Sequence, residues 1–438
     1  MPLLSLPVEL LSYIIKYALD NDHQFEDAAR LNIVCQHFRA LTMQHLYMKC
    51  HLRLYQDPQY NTEGTFGHIA WFKRFNDHPM HGIETAKHKF EMFKKYGGYV
   101  KHLTIHSCEL LAESALTRAD FSYPVLEGTG IPMITNPLLS AFTNLTGFKI
   151  FTGIRRNMAI KSHETVAVIN DVLELCPKLK HFTLGLDIDE SAPYQLKRIV
   201  NEMGTKPPSG KKAALASIRF LTLGFSISTR DSKNRYSEAT AIWPLTWFSL
   251  AASSFENVER FMFTYTEYVK PSHGGTSIKS VPKNKINKLG YRIHLPKVKE
   301  LDIPVLPLSM RVLDEYFVIN KETIKSLRLD IFRFAGLTRE GIYAIISRYP
   351  NLEAISLLGS NIGSSSNRIG WSIVPDLKRL FRGIKALVLY TEQSKKEMEE
   401  AIGEDFLKSS CVRILYEQTP TGLDTRSGGK FTAVIIYP

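Results

Sequence analysis

The chain has 438 residues, 44% of them hydrophobic and 22% charged, with a formal net charge of +12. This is ordinary globular composition with apolar material for a large core, and at this length two or more domains or a repeat array are expected rather than one compact core. No uninterrupted apolar run reaches about 18 residues, so no transmembrane helix is expected, and the five scattered cysteines contain no CxxC, which argues against a disulfide framework and for a reducing compartment.

The chain opens on an oily segment, LPVELLSYIIKYALD. Glu9 and Lys16 interrupt the apolar run, no basic region precedes it and no small-residue cleavage site follows, so it does not read as a signal peptide. Arginine is absent until Arg30, which disfavours a transit peptide. Ser5 offers a helix cap, Pro7 sits in the first turn and Glu9 places negative charge at the positive end of the dipole, so a helix is predicted from about Pro7 to Leu19. Leu6, Leu10, Ile14 and Ala18 form one row at i,i+4 spacing, and Leu11, Ile15 and Leu19 form a second. Together they make a band wider than one packed face needs. After a break at Asp20-Asn21-Asp22, two short helices are predicted, with Leu31, Val34, Phe38, Leu41 and His45 recurring at helical spacing. About forty-five residues cannot bury this much apolar surface among themselves, so the next domain or another protein must cover it. The first fifty residues carry a net charge of −1, leaving the basic surplus to the rest of the chain. A basic body attracts acidic partners.

The same segment carries a recognisable pattern. Leu6, Pro7, Glu9, Leu10, Leu11 and Ile14, followed by Leu31, Val34, Cys35, Phe38, Arg39 and Leu41, resemble the F-box motif. The departures are Phe38, where Trp is common, and a slightly long connection between Leu19 and Leu31. The resemblance implies that residues 1–50 form an F-box helical module that packs onto the Skp-type adaptor of SCF (Skp–cullin–F-box) ubiquitin ligases. Leu6, Pro7, Leu10, Leu11, Ile14, Ile15, Val34, Cys35 and Phe38 are the residues it implies for that contact. Residues 51–98 read as a helical connector.

From residue 99 a short pattern, apolar-x-x-apolar-x-apolar, recurs. It appears as VKHLTI from Val100, LTGFKI from Leu145, LKHFTL from Leu179, IRFLTL from Ile218 and VERFMF from Val258, then as VKELDI from Val298, IKSLRL from Ile324, LEAISL from Leu352 and IKALVL from Ile384. The nine starts lie 26 to 45 residues apart. Helix-like segments with a closing proline precede several, as in LTREGIYAIISRYP before Leu352. Each hexamer predicts a strand. KPPSGKK at Lys206–Lys212 and the stretch from Val269 are rich in Gly, Pro, Ser and Lys and read as surface insertions. Residues 411–438, CVRILYEQ and then SGGKFTAVIIYP, offer two strands that would cap the open end of a sheet.

This pattern resembles irregular leucine-rich repeats, which would occupy residues 99–410. The expected fold class is α/β: an F-box helical module followed by an irregular leucine-rich-repeat solenoid with parallel strands. The plainer alternative is an ordinary α/β domain with a mainly parallel sheet. In a stacked array the strand residues that alternate with the apolar ones line the concave wall. They include His102, Thr104, His106, Thr183, Met262 and Asp330, and the candidate target-binding residues Lys149, His181, Phe220, Arg260, Asp302, Arg328 and Tyr390.

Catalytic chemistry is not signalled. His102, His106 and Cys108 lack a fourth ligand and read as surface histidines beside a buried cysteine. SGGK near Gly428 lacks the spacing of a phosphate loop, and no GxSxG or HExxH occurs. The lysines of Lys279–Lys288 and of AKHKFEMFKKY read as solvated rather than as a nucleic-acid platform. No catalytic residue, cofactor or metal is assigned, and neither a membrane nor a nucleic acid is expected as a partner. The resemblance implies a non-catalytic substrate receptor of an SCF-type ubiquitin ligase, with the Skp-type adaptor and cullin complex as partners, acting in the cytoplasm or nucleus on an unknown target protein. The alternative is a repeat scaffold that binds protein or nucleic acid outside any ligase.

Overall fold

The computed structural model describes residues 6–19, 36–53, 95–107, 136–154, 172–189, 212–230, 255–270, 277–278, 292–304, 307–330, 338–358, 373–391, 400, 402–403, 411–416 and 431–436. They form a mixed α/β fold divided into two compact units, Met1–Leu184 with Pro208–Ser217, and Gly185–Pro207 with Ile218–Pro438.

In the first unit the predicted N-terminal helix runs from Val8 to Leu19, and a second helix spans Gln36–Tyr47. They pack against each other, with Leu11, Ile15, Phe38 and Leu41 buried. Strand β1 (Lys49–Arg53) follows at once, then β2 (His102–Ser107), β3 (Gly147–Ile154) and β4 (His181–Asp189), whose first four residues belong to this unit. β1, β2 and β3 pair in parallel in that order, and β4 is the next neighbour. β1 crosses the expected boundary at residue 50, and most of the expected connector lies outside the described residues. A short helix, Asn136–Ala141, leads into β3 and buries Leu139, while residues 172–175 are helical before β4 and bury Val172 and Leu173. Helix Lys212–Ser217 ends with the Ser217 hydroxyl donating to the Leu179 carbonyl.

The second unit holds β5 (Phe220–Arg230), β6 (Arg260–Lys270), β7 (Ser277–Ile278), β8 (Ile293–Leu295), β9 (Glu300–Pro304), β10 (Phe317–Ile319), β11 (Ser326–Asp330), β12 (Ala354–Leu358), β13 (Ala386–Thr391), β14 (Cys411–Tyr416) and β15 (Phe431–Ile436). Six strands pair in parallel in the order β5-β6-β9-β11-β12-β13. The chain then reverses: β15 pairs antiparallel with β13, and β14 pairs antiparallel with β15. β8 and β10 form a separate parallel pair. β6 runs two residues into the predicted insertion at Val269, and Ser277–Ile278 folds back antiparallel on Tyr268 and Val269. The alternation of Thr, Tyr and Val in TYTEYV favours extended backbone, so the strand outlasts its hexamer.

Each of the nine hexamers enters a parallel-running strand at the same register. In seven of them, among the described residues, the second residue offers a carbonyl that accepts from two consecutive amides of the next strand. Thr146 and Gly147 donate to Lys101, Glu259 and Arg260 to Arg219, Lys299 and Glu300 to Glu259, and Lys385 and Ala386 to Glu353. Every described apolar position of the hexamers is buried, from Val100 and Leu103 through Phe261 and Phe263 to Leu387 and Leu389. The apolar face of each sheet is therefore one continuous core, which the flanking helices cover. Helix Pro307–Tyr316 lies against β6 and β9, and Phe317 meets Phe261 and Phe263 at ring distances of 4.9 and 5.0 Å. Helix Arg339–Ile346 is capped by Thr338, whose hydroxyl accepts from the Gly341 amide, and it buries Ile342 and Ile346 ahead of β12. Helix Ile373–Leu380 buries Ile373, Val374 and Leu377 ahead of β13. The two helices are tied by the Tyr343 hydroxyl donating to Asp376.

Candidate functional site

Two surfaces merit description: the outer face of the first helix and the polar faces of the sheets. In helix Val8–Leu19 the two predicted apolar rows have separate fates. Leu11 and Ile15 are buried, whereas Leu10 is 54% exposed and Ile14 43%. Tyr13 and Tyr17 are still more exposed, and Val8 is half-exposed. At a helical rotation of about 100° per residue, Leu10, Tyr13, Ile14 and Tyr17 fall within one stripe roughly 100° wide, beside the row that is packed. Leu6 is half-buried and Pro7 is exposed, its carbonyl accepting from the Leu11 amide at 3.0 Å. Phe38 is buried, and the Thr42 hydroxyl donates to its carbonyl at 2.6 Å. Val34 and Cys35 lie outside the described residues. Of the nine positions implied for adaptor contact, Leu11, Ile15 and Phe38 thus face the chain's own interior, while Pro7, Leu10 and Ile14 face outward.

The sheets present the alternate positions of each hexamer on their second face. In the second unit the register aligns Phe220, Arg260, Glu300, Ser326, Ala354 and Ala386 in one row. The next row is Thr222, Met262, Asp302, Arg328, Ser356 and Val388. Phe220 and Met262 are more than a third exposed and form the apolar part of this face. Arg260 faces Glu300 at 3.6 Å and Arg328 faces Asp302 at 3.5 Å. These arginines, singled out for an acidic target, are therefore met by acids on the neighbouring strand. Asp302 lies on the anticipated face but is only 6% exposed, because Met262 and Arg328 flank it in register. Tyr390 sits in β13 at the register of Leu358.

Along the edge where the chain enters these strands, a second ladder sets each of two glutamates between two basic side chains. Arg219 and Lys299 reach Glu259 at 3.8 and 3.4 Å, and Lys325 and Lys385 each reach Glu353 at 2.9 Å. The lysine hydrogen bonds, Lys385 first and then Lys325, hold the Glu353 carboxyl down to about 2. A groove of about 680 Å³ runs along this edge, and its lining includes Lys297, Glu322, Asn351 and Glu353. Its mixed charge and pairing give it no preference for either sign.

The first unit differs. Lys149 is exposed, and His102 and His181 are half-buried on the same face. His102 and Gly147 are in register, and the His102 and His181 rings meet edge to face at 6.4 Å across that glycine. His106 lies at the register of Phe151 in β3. Burial first, then Lys149 and Lys180, lowers the His181 pKa below the ordinary histidine value.

Among the described residues, no group of three or more His, Cys, Asp or Glu side chains is arranged to hold a metal, and no helix is long and apolar enough to cross a membrane. Cys176 is buried, which raises its thiol to about 12 and leaves it unsuited to nucleophilic chemistry. No family model matches the chain, and no curated protein matches it.

Proposed function

We propose that the chain is the substrate-receptor subunit of an SCF-type ubiquitin ligase, gripping a Skp-type adaptor through its N-terminal helices and a target protein through the sheet. The observation that carries this reading is the apolar stripe Leu10, Tyr13, Ile14 and Tyr17, exposed beside the buried Leu11 and Ile15 in the segment that resembles an F-box. A surface helix with one packed face needs only one apolar row. Here the second row remains in water, and two of its members, Leu10 and Ile14, are F-box-like positions. Covering four large side chains that are each more than two-fifths exposed yields on the order of 1–2 kcal/mol each. That is enough for a specific contact after association costs.

The repeating hexamers support the leucine-rich-repeat part of the reading. They share one register, bury the same three positions and leave the alternate positions outward for a partner. The function is then positional. The receptor raises the local concentration of a target lysine near the ligase's activated ubiquitin and contributes no catalytic group. Mixing the full chain with a purified Skp-type adaptor and resolving the mixture by size-exclusion chromatography tests the reading. A one-to-one complex is the expected result. Two separate peaks at micromolar concentrations would overturn it and leave a scaffold that works outside any ligase.

A further inference from the structure

The outer face of the second unit's sheet is neutral as a whole. Its two rows carry two arginines and two acids, and each arginine lies beside an acid on the neighbouring strand: Arg260 beside Glu300 at 3.6 Å and Arg328 beside Asp302 at 3.5 Å. The other members of these rows are uncharged. A face whose charges cancel strand by strand does not draw an ion of either sign from a distance. The chain's surplus of +12 is therefore carried elsewhere.

The two ion pairs differ in depth, and the difference selects the ligand. Arg260 and Glu300 are about half-exposed and sit in water. Asp302 is 6% exposed, enclosed between Met262 in β6 and Arg328 in β11. Most of the cost of desolvating that carboxylate is therefore met within the free chain, and laying apolar surface over it adds little. An anion has no such access. To reach Arg328 it must compete with Asp302 and bring a second negative charge beside a carboxylate that water screens poorly. A cation aimed at Asp302 meets Arg328 in the same way. Beside the buried pair stand Phe220 and Met262, on adjacent strands one row apart and each more than a third exposed. On the other side, in β12, the outward residues Ala354 and Ser356 are small, so a segment lying across the strands is not held off the face.

We propose that the face formed by Phe220, Met262 and the Asp302–Arg328 pair binds an uncharged target segment whose large apolar side chains cover Phe220 and Met262. Complementarity here is of neutral surface to neutral surface, and a charged partner is penalised for the ion pair it must disturb. Arg260 and Glu300, next to this patch, offer a donor and an acceptor to the backbone of such a segment without requiring a charge from it. Acidic and phosphorylated segments are the ones this face turns away. This deepens the receptor reading and rests on it only in taking the segment to belong to a degradation target; the neutrality of the face does not depend on the adaptor.

The test uses the full chain without adaptor, so failure of adaptor binding does not affect it. Random peptides displayed on phage are selected on the immobilised chain and counter-selected on the double variant Phe220→Ser with Met262→Ser, and the enriched sequences are synthesised with a fluorescent label. They are expected to be rich in large apolar residues and poor in Asp, Glu, Lys and Arg. They should bind the chain at least tenfold tighter than the double variant and change affinity less than twofold between low and high salt. In chain carrying ¹³C-methyl methionine, with the Met262 signal assigned through Met262→Leu, they should shift that methyl. This measurement decides the matter in the unsubstituted chain even if the double variant melts early. An aspartate-rich version of the same peptide should bind at least tenfold more weakly. Glu300→Gln, which releases Arg260, should improve that version severalfold and leave the uncharged one unchanged. Enrichment of acidic sequences, a steep loss of affinity with salt, an unmoved Met262 methyl, no gain for the aspartate-rich peptide in Glu300→Gln, or selection of nothing that distinguishes the chain from the double variant would each overturn the proposal.

Discussion

Replacing Leu10 and Ile14 together by aspartate separates a docking face from a core face. Both side chains are about half exposed, so little of the chain's own packing is lost, and each aspartate keeps access to water in the free chain. Folding stability should change by less than about 1 kcal/mol, the usual range for surface positions. Against an adaptor the same change is severe. Two apolar contacts of about 1 kcal/mol each vanish, and two carboxylates must be covered by an apolar partner at about 2 kcal/mol or more apiece. The total, on the order of 6 kcal/mol, weakens binding by about 10⁴-fold. Leu11→Asp places its charge at a fully buried site and should instead unfold the helical module. The assay is a pull-down of the full chain by immobilised Skp-type adaptor, with thermal denaturation of the same preparations. Adaptor loss with unchanged melting in the Leu10/Ile14 variant supports the docking face. A melting drop matching that of Leu11→Asp would refute it, because the outward row would then be core.

Leu327→Ala, at a fully buried hexamer position in the middle strands of the second unit, should destabilise by about 2–5 kcal/mol in urea denaturation, whereas Phe220→Ala on the exposed face should cost far less. Glu353 should titrate near 2 when its carboxyl carbon is followed by NMR. A depressed carboxylate contributes its stability above the ordinary value of about 4 and loses it as pH falls toward 2, so Lys385→Ala should move the midpoint up. Tyr343 and Tyr349, pushed up to about 12 chiefly by burial, should ionise late in ultraviolet absorbance. Their raised values mean that this contribution is intact below pH 10 and lost as pH rises through 12, and Tyr343→Phe should remove one late phenol.

The hexamers were the legible part of the fold. Apolar residues at positions one, four and six identify a strand whose alternate residues face one core, and all nine form such strands. β1 was missed because Lys49–Arg53 carries only a brief alternation and sits where the helical pattern ends. The length of β5 and β6 was missed because their outer halves depend on pairing with each other rather than on the hexamer. At the candidate surface, the outward direction of Lys149, Phe220 and Arg260 followed from alternation alone. The pairing of Arg260 with Glu300 did not, although a signal existed: both are third residues of successive hexamers, so a common register places them side by side. Likewise, the contact between His102 and His181 required knowing that the residue between them in register is a glycine.

The exposed stripe of Val8–Leu19 is the centre of the account, and hydrogen exchange measured by mass spectrometry on the full chain, with and without a purified Skp-type adaptor, tests it directly. The account predicts that adaptor slows exchange in the peptides covering Val8–Leu19 and Gln36–Tyr47 and leaves strands β9 to β13 unchanged. Unaltered exchange in the helices at saturating adaptor, or protection confined to the strands, would contradict it.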